Sequence, residues 1–262
     1  MVPQEEAYWF NQLKANAQGY NDRIDTIKKM LINKRGYYFE KPEGEHVILL
    51  YSGGVDSTTL IDLVASKWNA KIILLYIRRG SRNQQYEENA VDFFYDFYKN
   101  RYPDNIIDLV KIETDVPTRV NKEYFDKNRR KVMGYPMRNS IMWSLGVSQA
   151  VYLGEKYETT IRTVLVGSVG DDSDSPESGY LSVLSMSLHA CICLGTWNFQ
   201  VNAPLMDNSF KVGGMFKKDL VAYCRQNDIP IEKSRSCFEA SEEPCGQCLA
   251  CIHRMKAFQE AK

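Results

Sequence analysis

VILLYSGGVDSTTLIDL, residues 47–63, is an apolar run that stops at a glycine pair set among hydroxyls and an aspartate, then resumes with helical spacing. It reads as a strand, a phosphate-sized turn and a helix start. Gly53 and Gly54 permit backbone conformations and close approaches that a side chain would block. A helix opening directly after them turns unpaired N–H groups toward an anion, and Ser52, Ser57, Thr58 and Thr59 add hydroxyl donors. The G-x-x-x-x-G-K-[ST] pattern and its lysine are missing, so γ-phosphate transfer is not the expected chemistry. A bare glycine pair would read as an ordinary turn. Ser-Gly-Gly-x-Asp-Ser directly after a strand points instead to an anion cradle.

Downstream, Leu60, Leu63, Val64 and Trp68 mark one helix face, and residues 71–77 (KIILLYI) form a continuous apolar strand of the buried parallel type. Strand, helix and strand make a βαβ unit. Arg78, Arg79, Gly80, Ser81 and Arg82 follow, where open α/β sheets place ligands; these arginines suit phosphate or carboxylate, or are simply solvated. Residues 86–98 read as a helix and 106–112 as a third strand, whereas 114–133 is polar and basic without a period, a loop or partly helical insertion where mobility is expected. Pro136 in GYPMRN (134–139) leaves Arg138 and Asn139 near a helix entrance. Residues 163–169 read as a fourth strand ending in an acidic loop, 170–178. That loop suits Mg²⁺ beside phosphate, donor groups of a substrate, or ordinary turn chemistry. Residues 181–194 are apolar, with His189, Cys191 and Cys193 read as packing; 199–205 is a candidate fifth strand and 217–227 a helix. Upstream, 1–45 carries apolar spacings of two amphipathic helices that either cap the protein's own core or meet a protein partner.

A chain of 262 residues is long enough for one α/β domain with an appendage. Its 33 basic and 33 acidic residues cancel, so nothing suggests a broad nucleic-acid or membrane footprint, although a local basic patch leaves a nucleic-acid partner open. No run reaches the ~18 apolar residues of a membrane span, and the start is polar and acidic, unlike a signal peptide; the cytoplasm is the expected location. Seven cysteines there are thiols or metal ligands rather than disulfides. Four of them, Cys237, Cys245, Cys248 and Cys251, are spaced C-x7-C-x2-C-x2-C. Four thiolates at this spacing suit tetrahedral Zn²⁺ with every position filled, hence structural; an Fe–S cluster or four unligated thiols are the alternatives.

The loop 52–57 resembles that of the N-type ATP pyrophosphatases, whose doubly wound parallel sheet (adenine nucleotide α-hydrolase-like) implies cleavage of ATP between the α and β phosphates. Together with the closing SC-x7-CGQC-x2-C and Arg254-Met255-Lys256-Ala257-Phe258, the chain resembles the 7-cyano-7-deazaguanine synthase family of queuosine biosynthesis over about residues 46–258. Gly80-Ser81-Arg82 falls at the family's Gly-Gln-Arg turn, Tyr135 to Asn139 at its Val-Pro-Gly-Arg-Asn, Val166-Gly167 at its Ile-Gly, and Ala203-Pro204-Leu205 with Lys217 at its Ala-Pro-Leu and following lysine. The resemblance implies that Ser52, Gly53, Gly54, Asp56, Ser57 and Lys217 hold ATP phosphates and Mg²⁺. It implies further that Arg82, Arg138, Asn139, Gly167 and Asp171 or Asp172 line the side of a deazaguanine-type substrate, that Cys237, Cys245, Cys248 and Cys251 bind structural Zn²⁺, and that the protein is a homodimer.

In that family a 7-carboxy-7-deazaguanine carboxylate attacks the α phosphate, ammonia displaces AMP to give the amide, and a second activation gives the nitrile. The expected organisation is an N-terminal helical extension (1–45), an ATP pyrophosphatase α/β domain (46–235) and a small C-terminal zinc-binding segment (236–262). Met137, Asn83, Arg235 and the polar loop 171–177 depart from the family pattern, mostly on the acceptor side. A deazaguanine joined to an amine of a protein or nucleic acid, as in phage defence, is the variant this leaves open. A tRNA thiolase and a non-enzymatic ATP-binding protein are readings of other classes.

Overall fold

The structure, a computed structural model, describes residues 5–116, 124–173 and 175–261, the side chains of 130 and 131 aside. Part of the expected insertion (117–123) and Asp174 of the acidic loop therefore lie outside the described residues.

The 47–63 stretch folds as read. β1 (His46–Tyr51) sends Val47, Leu49 and Tyr51 into one core and Ile48 into another, because successive side chains of a strand point to opposite faces. α3 (Val55–Trp68) follows, then β2 (Lys71–Arg78), α4 (Gln84–Arg101), β3 (Ile106–Glu113), α5 (Lys127–Met133), α6 (Arg138–Lys156), β4 (Thr163–Leu165), α7 (Tyr180–Leu194), β5 (Gln200–Asn202), α8 (Lys217–Gln226) and α9 (Leu249–Glu260). The five strands are all parallel, in the order β3-β2-β1-β4-β5. Chain order runs outward from β1 in one direction and resumes at β4 in the other. A crevice therefore opens between the carboxyl ends of β1 and β4, where doubly wound sheets bind ligands.

Helices cover both faces. α3, α4, α8 and α9 bury Leu60, Phe94, Leu220 and Ala257 on one side, while α6 and α7 bury Trp143, Ala150 and Leu184 on the other. Covering both faces is what lets β1 and β2 be apolar almost throughout. The stretch 181–194, read only as apolar, is the helix α7. Its polar face is too weak to show a period, since it leaves Ile192 and Leu194 exposed as well as burying Val183 and Leu184. β4 is shorter than the expected 163–169. Val166 still donates to the Asn202 carbonyl at 2.9 Å, and the chain then leaves the sheet at Gly167.

Before the sheet come α1 (Glu6–Ala17) and α2 (Tyr20–Arg35). α2 adds to the α6/α7 face: Leu31 is fully buried, Ile24 and Ile27 pack on that core, and Arg35 donates to the carbonyls of Trp197, at 3.3 Å, and Phe199, at 2.5 Å. Among the described residues no helix is long and apolar enough to cross a membrane.

Candidate active site and metal centre

Two glycines make the loop possible. Gly53 has φ +68°, and a Cβ there would sit 3.0 Å from Ala90 Cβ and 3.1 Å from the Val91 nitrogen, so α4 leaves room only for hydrogen. Gly167 lies against the start of α3, where a Cβ would come within 3.0 Å of the Ser57 nitrogen. The first turn of α3 is thereby held between α4 and the chain leaving β4. Gly54 caps it, its carbonyl accepting from Thr58 N–H at 3.0 Å, and Ser57 Oγ accepts from Ser52 N–H at 3.3 Å. The remaining N–H groups of that turn have no intrahelical acceptor and face the crevice with the positive end of the helix dipole.

Charge is built around this end. Lys217, the first residue of α8, forms an ion pair with Asp56 Oδ2. Its backbone N–H donates to Asp171 Oδ2 at 2.7 Å. Asp172 Oδ2 accepts from Val169 N–H at 3.1 Å. Burial pushes the Asp56 carboxyl above the ordinary carboxylate range, and Asp172 and Asp171 add to the shift while Lys217 opposes it. Burial alone would depress the Lys217 ammonium, but the three aspartates outweigh it and hold it raised. Asp56 Oδ1 is buried without a hydrogen-bond partner among the described residues. An unpaired carboxylate oxygen beside two further acids suits a hard divalent cation that arrives with phosphate oxygens, so the donor set fits Mg²⁺ with ATP.

Across the same cavity, of about 450 Å³, Arg138 opens α6. Its Nε donates to Asn139 Oδ1 at 3.1 Å, and Asn139 Nδ2 donates to Ser178 Oγ at 2.8 Å. Burial, and then the nearby Arg79, hold the guanidinium below its ordinary value, although an arginine stays charged. Glu177 accepts the backbone N–H groups of Arg138 and Asn139 at the helix start, and burial raises its carboxyl. Arg79 pairs with Glu87 at 3.4 Å, and Glu87 also accepts from Asn83 Nδ2 at 2.9 Å. Arg79, Arg138, Lys217, Arg235 and Arg254 line the cavity against Asp56, Glu87 and Asp172, an excess of cations that favours polyanions.

The four cysteine sulfurs lie within 4.8 Å of one another. A tetrahedron with metal–sulfur bonds near 2.3 Å has edges of about 3.8 Å, and Cys245 Sγ and Cys251 Sγ are 4.0 Å apart. Cys237 Sγ accepts from the N–H groups of Glu239 and Cys245, and Cys245 Sγ from Cys248 N–H, each at 3.4 Å. Such bonds favour thiolate, the form a metal requires. The site therefore fits one tetrahedral metal ion. Arg235 braces its loop: the guanidinium donates to the carbonyls of Glu239, Ser241 and Glu242 at 2.6 to 2.9 Å, while its backbone N–H donates to the Gly53 carbonyl at 2.8 Å. From the metal segment, Phe238 and α9 residues Leu249, His253 and Arg254 form one wall of the cavity.

The family profile described as "Queuosine biosynthesis protein QueC" matches residues 46–262. The chain belongs to the QueC family. Among curated relatives, the "7-cyano-7-deazaguanine synthase" of Aquifex aeolicus is 25% identical over 230 residues, covering 81% of this chain and 96% of that protein. The protein of the same name from Campylobacter jejuni subsp. doylei is 27% identical over 240 residues, covering 82% and 93%. Similar solved structures include the U34-tRNA thiolase NcsA of Methanococcus maripaludis with its [4Fe-4S] cluster, at TM-score 0.42, 13% identity and coverage of 92% of this chain and 72% of that one. Another is the NH3-dependent NAD synthetase of Campylobacter jejuni, at TM-score 0.33, 15% identity and coverage of 82% and 76%. The QueC resemblance read from the motifs is borne out by the profile.

In this QueC member the expected residues separate into three groups. Ser52, Gly54, Asp56, Ser57, Lys217, Gly167, Arg138, Asn139 and Asp172 line one cavity, with Gly53 directly behind it. Cys237, Cys245, Cys248 and Cys251 converge beside it. Arg82 and Asp171 stand apart from the cavity lining. The Arg82 side chain is 77% exposed and reaches Glu239 at 3.6 Å, because the chain turns outward at Gly80 (φ +60°) once β2 has ended at Arg78. Asp171 accepts the first N–H of α8 from the exposed side and acts on the Asp56–Lys217 pair, whereas Asp172 acts both on that pair and on Arg138 and so lies between the two ends of the cavity. Arg79, Glu87, Arg235 and His253 also line the cavity, beyond the site residues expected from the resemblance. Arg79 lay inside the quoted arginine run. Arg235 stands among the departures from the family pattern, whereas no sequence signal identifies Glu87 or His253, whose approach depends on the packing of α4 and the metal segment.

Proposed function

We propose that this QueC family protein is an ATP-dependent C–N ligase that adenylates a 7-carboxy-7-deazaguanine-type carboxylate and aminates it to the amide and then the nitrile. The observation carrying this reading is that two unlike anion receptors share one cavity. The α3 N-terminus with Lys217 is suited to a polyphosphate, and Arg138, whose fork matches a planar carboxylate, faces it. The names of the relatives supply the substrate class.

The acceptor carboxylate oxygen attacks the α phosphorus, the α–β P–O bond breaks, and pyrophosphate departs. Ammonia then adds to the acyl carbon and AMP leaves with the C–O bond, giving the amide. With a second ATP the amide oxygen attacks the α phosphorus and pyrophosphate departs; AMP then leaves with that oxygen while the nitrogen gives up both protons to solvent, leaving the nitrile. Arg138 holds the acceptor and Asn139, fixed by Ser178, holds Arg138, so the nucleophile is oriented before reaction. The α3 N–H groups and Lys217 meet the charge that grows on pyrophosphate, already aligned and partly shielded from water. Mg²⁺, held by Asp56 and Asp172, would neutralise phosphate charge when bound. Zn²⁺ in the four-cysteine site would be structural, keeping α9 and Arg235 in the cavity wall.

The test is incubation with ATP, Mg²⁺, ammonia and 7-carboxy-7-deazaguanine. AMP and pyrophosphate, with the amide or nitrile seen by mass spectrometry, are the expected products; release of ADP would remove the reading.

A further inference from the structure

Helices α1 and α2 precede the QueC match at 46–262, yet α2 touches the turn that carries the cavity residue Ser178, and α1 packs on α5, which leads to Arg138. Tyr20, the first residue of α2, places its hydroxyl at the start of α7, where it accepts Leu181 N–H at 2.9 Å. The fit is close on every side. A Cβ on Gly179 would meet Tyr20 Oη at 2.7 Å, the Ser175 carbonyl at 2.9 Å and the Ser173 carbonyl at 3.1 Å. Gly179 N–H in turn donates to the Ser175 carbonyl at 2.8 Å.

This turn leads directly to the acceptor side. Ser178 accepts from Asn139, which accepts from Arg138, and Glu177 caps the helix that Arg138 opens. The other end of the acidic loop is tied to Lys217 through Asp171. The loop thus has its phosphate end fixed by the family core and its acceptor end fixed by α2. α2 is well anchored for this, with Leu31 buried and Arg35 bound to carbonyls before β5. α1 acts on the opposite flank: Trp9 Nε1 donates to Asp126 Oδ2 at 2.9 Å and Arg129 lies 5.5 Å over the Trp9 ring, holding the approach to α5. Beyond α5, Tyr135 stacks on Phe125 at 5.7 Å just before Arg138.

We infer that the N-terminal helices are a specificity element of the active site, with Tyr20 a positioning residue that holds the 175–181 turn and through it Ser178, Asn139 and Arg138 for the acceptor. The inference rests on the reading that Arg138 faces the acceptor. It requires that loss of the Tyr20 hydroxyl be felt by the acceptor and not by ATP.

The experiment compares the full-length protein with Tyr20→Phe by two measurements. Hydrogen–deuterium exchange without ligands should quicken in peptides spanning 175–184 and stay unchanged in 52–59. Steady-state kinetics should show the acceptor KM rising about fivefold, the scale of one ordinary hydrogen bond, with the ATP KM unchanged. Unchanged exchange in 175–184, faster exchange across the whole chain, an unchanged acceptor KM, or equal rises in both KM values would each overturn the inference. The exchange arm needs no substrate. If wild-type protein turned over no deazaguanine, the functional reading would fall while exchange still decided whether Tyr20 holds the turn.

Discussion

Replacing Lys217 with methionine keeps the side chain as far as Cε and removes the ammonium that pairs with Asp56. The two side chains are 20% and 24% exposed, so the pair is mostly buried. Breaking such a pair from one side costs about 3 to 5 kcal/mol because the surviving charge is left uncompensated, and the residual contact with water places the value near the lower end, at about 3 kcal/mol. In a chain of this size that is a fall in Tm of roughly 6 to 12 °C. The pH dependence has a definite sign. Burial, Asp172 and Asp171 already hold Asp56 above its ordinary range, and loss of Lys217 removes the opposing influence. A carboxyl whose folded pKa exceeds its unfolded value, about 3.9, makes the native state bind the extra proton, so stability is lost as pH rises from that value through the folded pKa. Lys217→Met should therefore be most destabilised at neutral pH and approach wild type near pH 4. Adding Asp56→Asn removes the uncompensated charge and should recover about 2 kcal/mol without restoring turnover. AMP formation should fall by about 10² to 10³, the usual loss when one charge-stabilising donor is removed. Thermal melts between pH 4 and 8, with AMP release by chromatography, measure all of this. A variant that melts within about 2 °C of wild type at pH 7 would refute the argument, as would destabilisation that grows toward acid.

Gly53→Ala should lower ATP affinity at least tenfold and cost about 1 to 3 kcal/mol of stability, since φ +68° and a contact of 3.0 Å with Ala90 Cβ both oppose a methyl group; nucleotide titration and melting check it. Cys248→Ser should reduce bound metal from about one per chain toward none and loosen the cavity wall at 249–254, as read by elemental analysis and hydrogen–deuterium exchange. Arg138→Ala should raise the acceptor KM by more than tenfold, whereas Arg82→Ala, changing an exposed pair with Glu239 at 3.6 Å, should alter neither KM by more than about twofold.

The parts of the site legible in the sequence are those made by neighbours along the chain. The strand, glycine turn and helix of 47–63 carry their own chemistry, and the four cysteines carry theirs in their spacing. Lys217 is reached only through the family resemblance, because nothing local says that the start of α8 meets Asp56; Pro136 places Arg138 at a helix entrance, but only the resemblance gives it a substrate role. Arg82 shows the limit. Position near a strand end says which arginines can reach a ligand, but the turn at Gly80 decides which do, and it carries Arg82 outward while Arg79 stays on the wall. α7 was invisible as a helix for a related reason: a segment apolar on nearly every side loses the contrast on which periodicity depends.

The backbone bond from Arg235 N–H to the Gly53 carbonyl spans the metal segment and the nucleotide loop. Any coupling that this bond carries between the two sites is reciprocal. If metal in the four-cysteine site steadies the loop for ATP, then ATP must tighten the metal by the same factor. Under that condition, protein engaged with nucleotide would give up its ion to a chelator more slowly than idle protein.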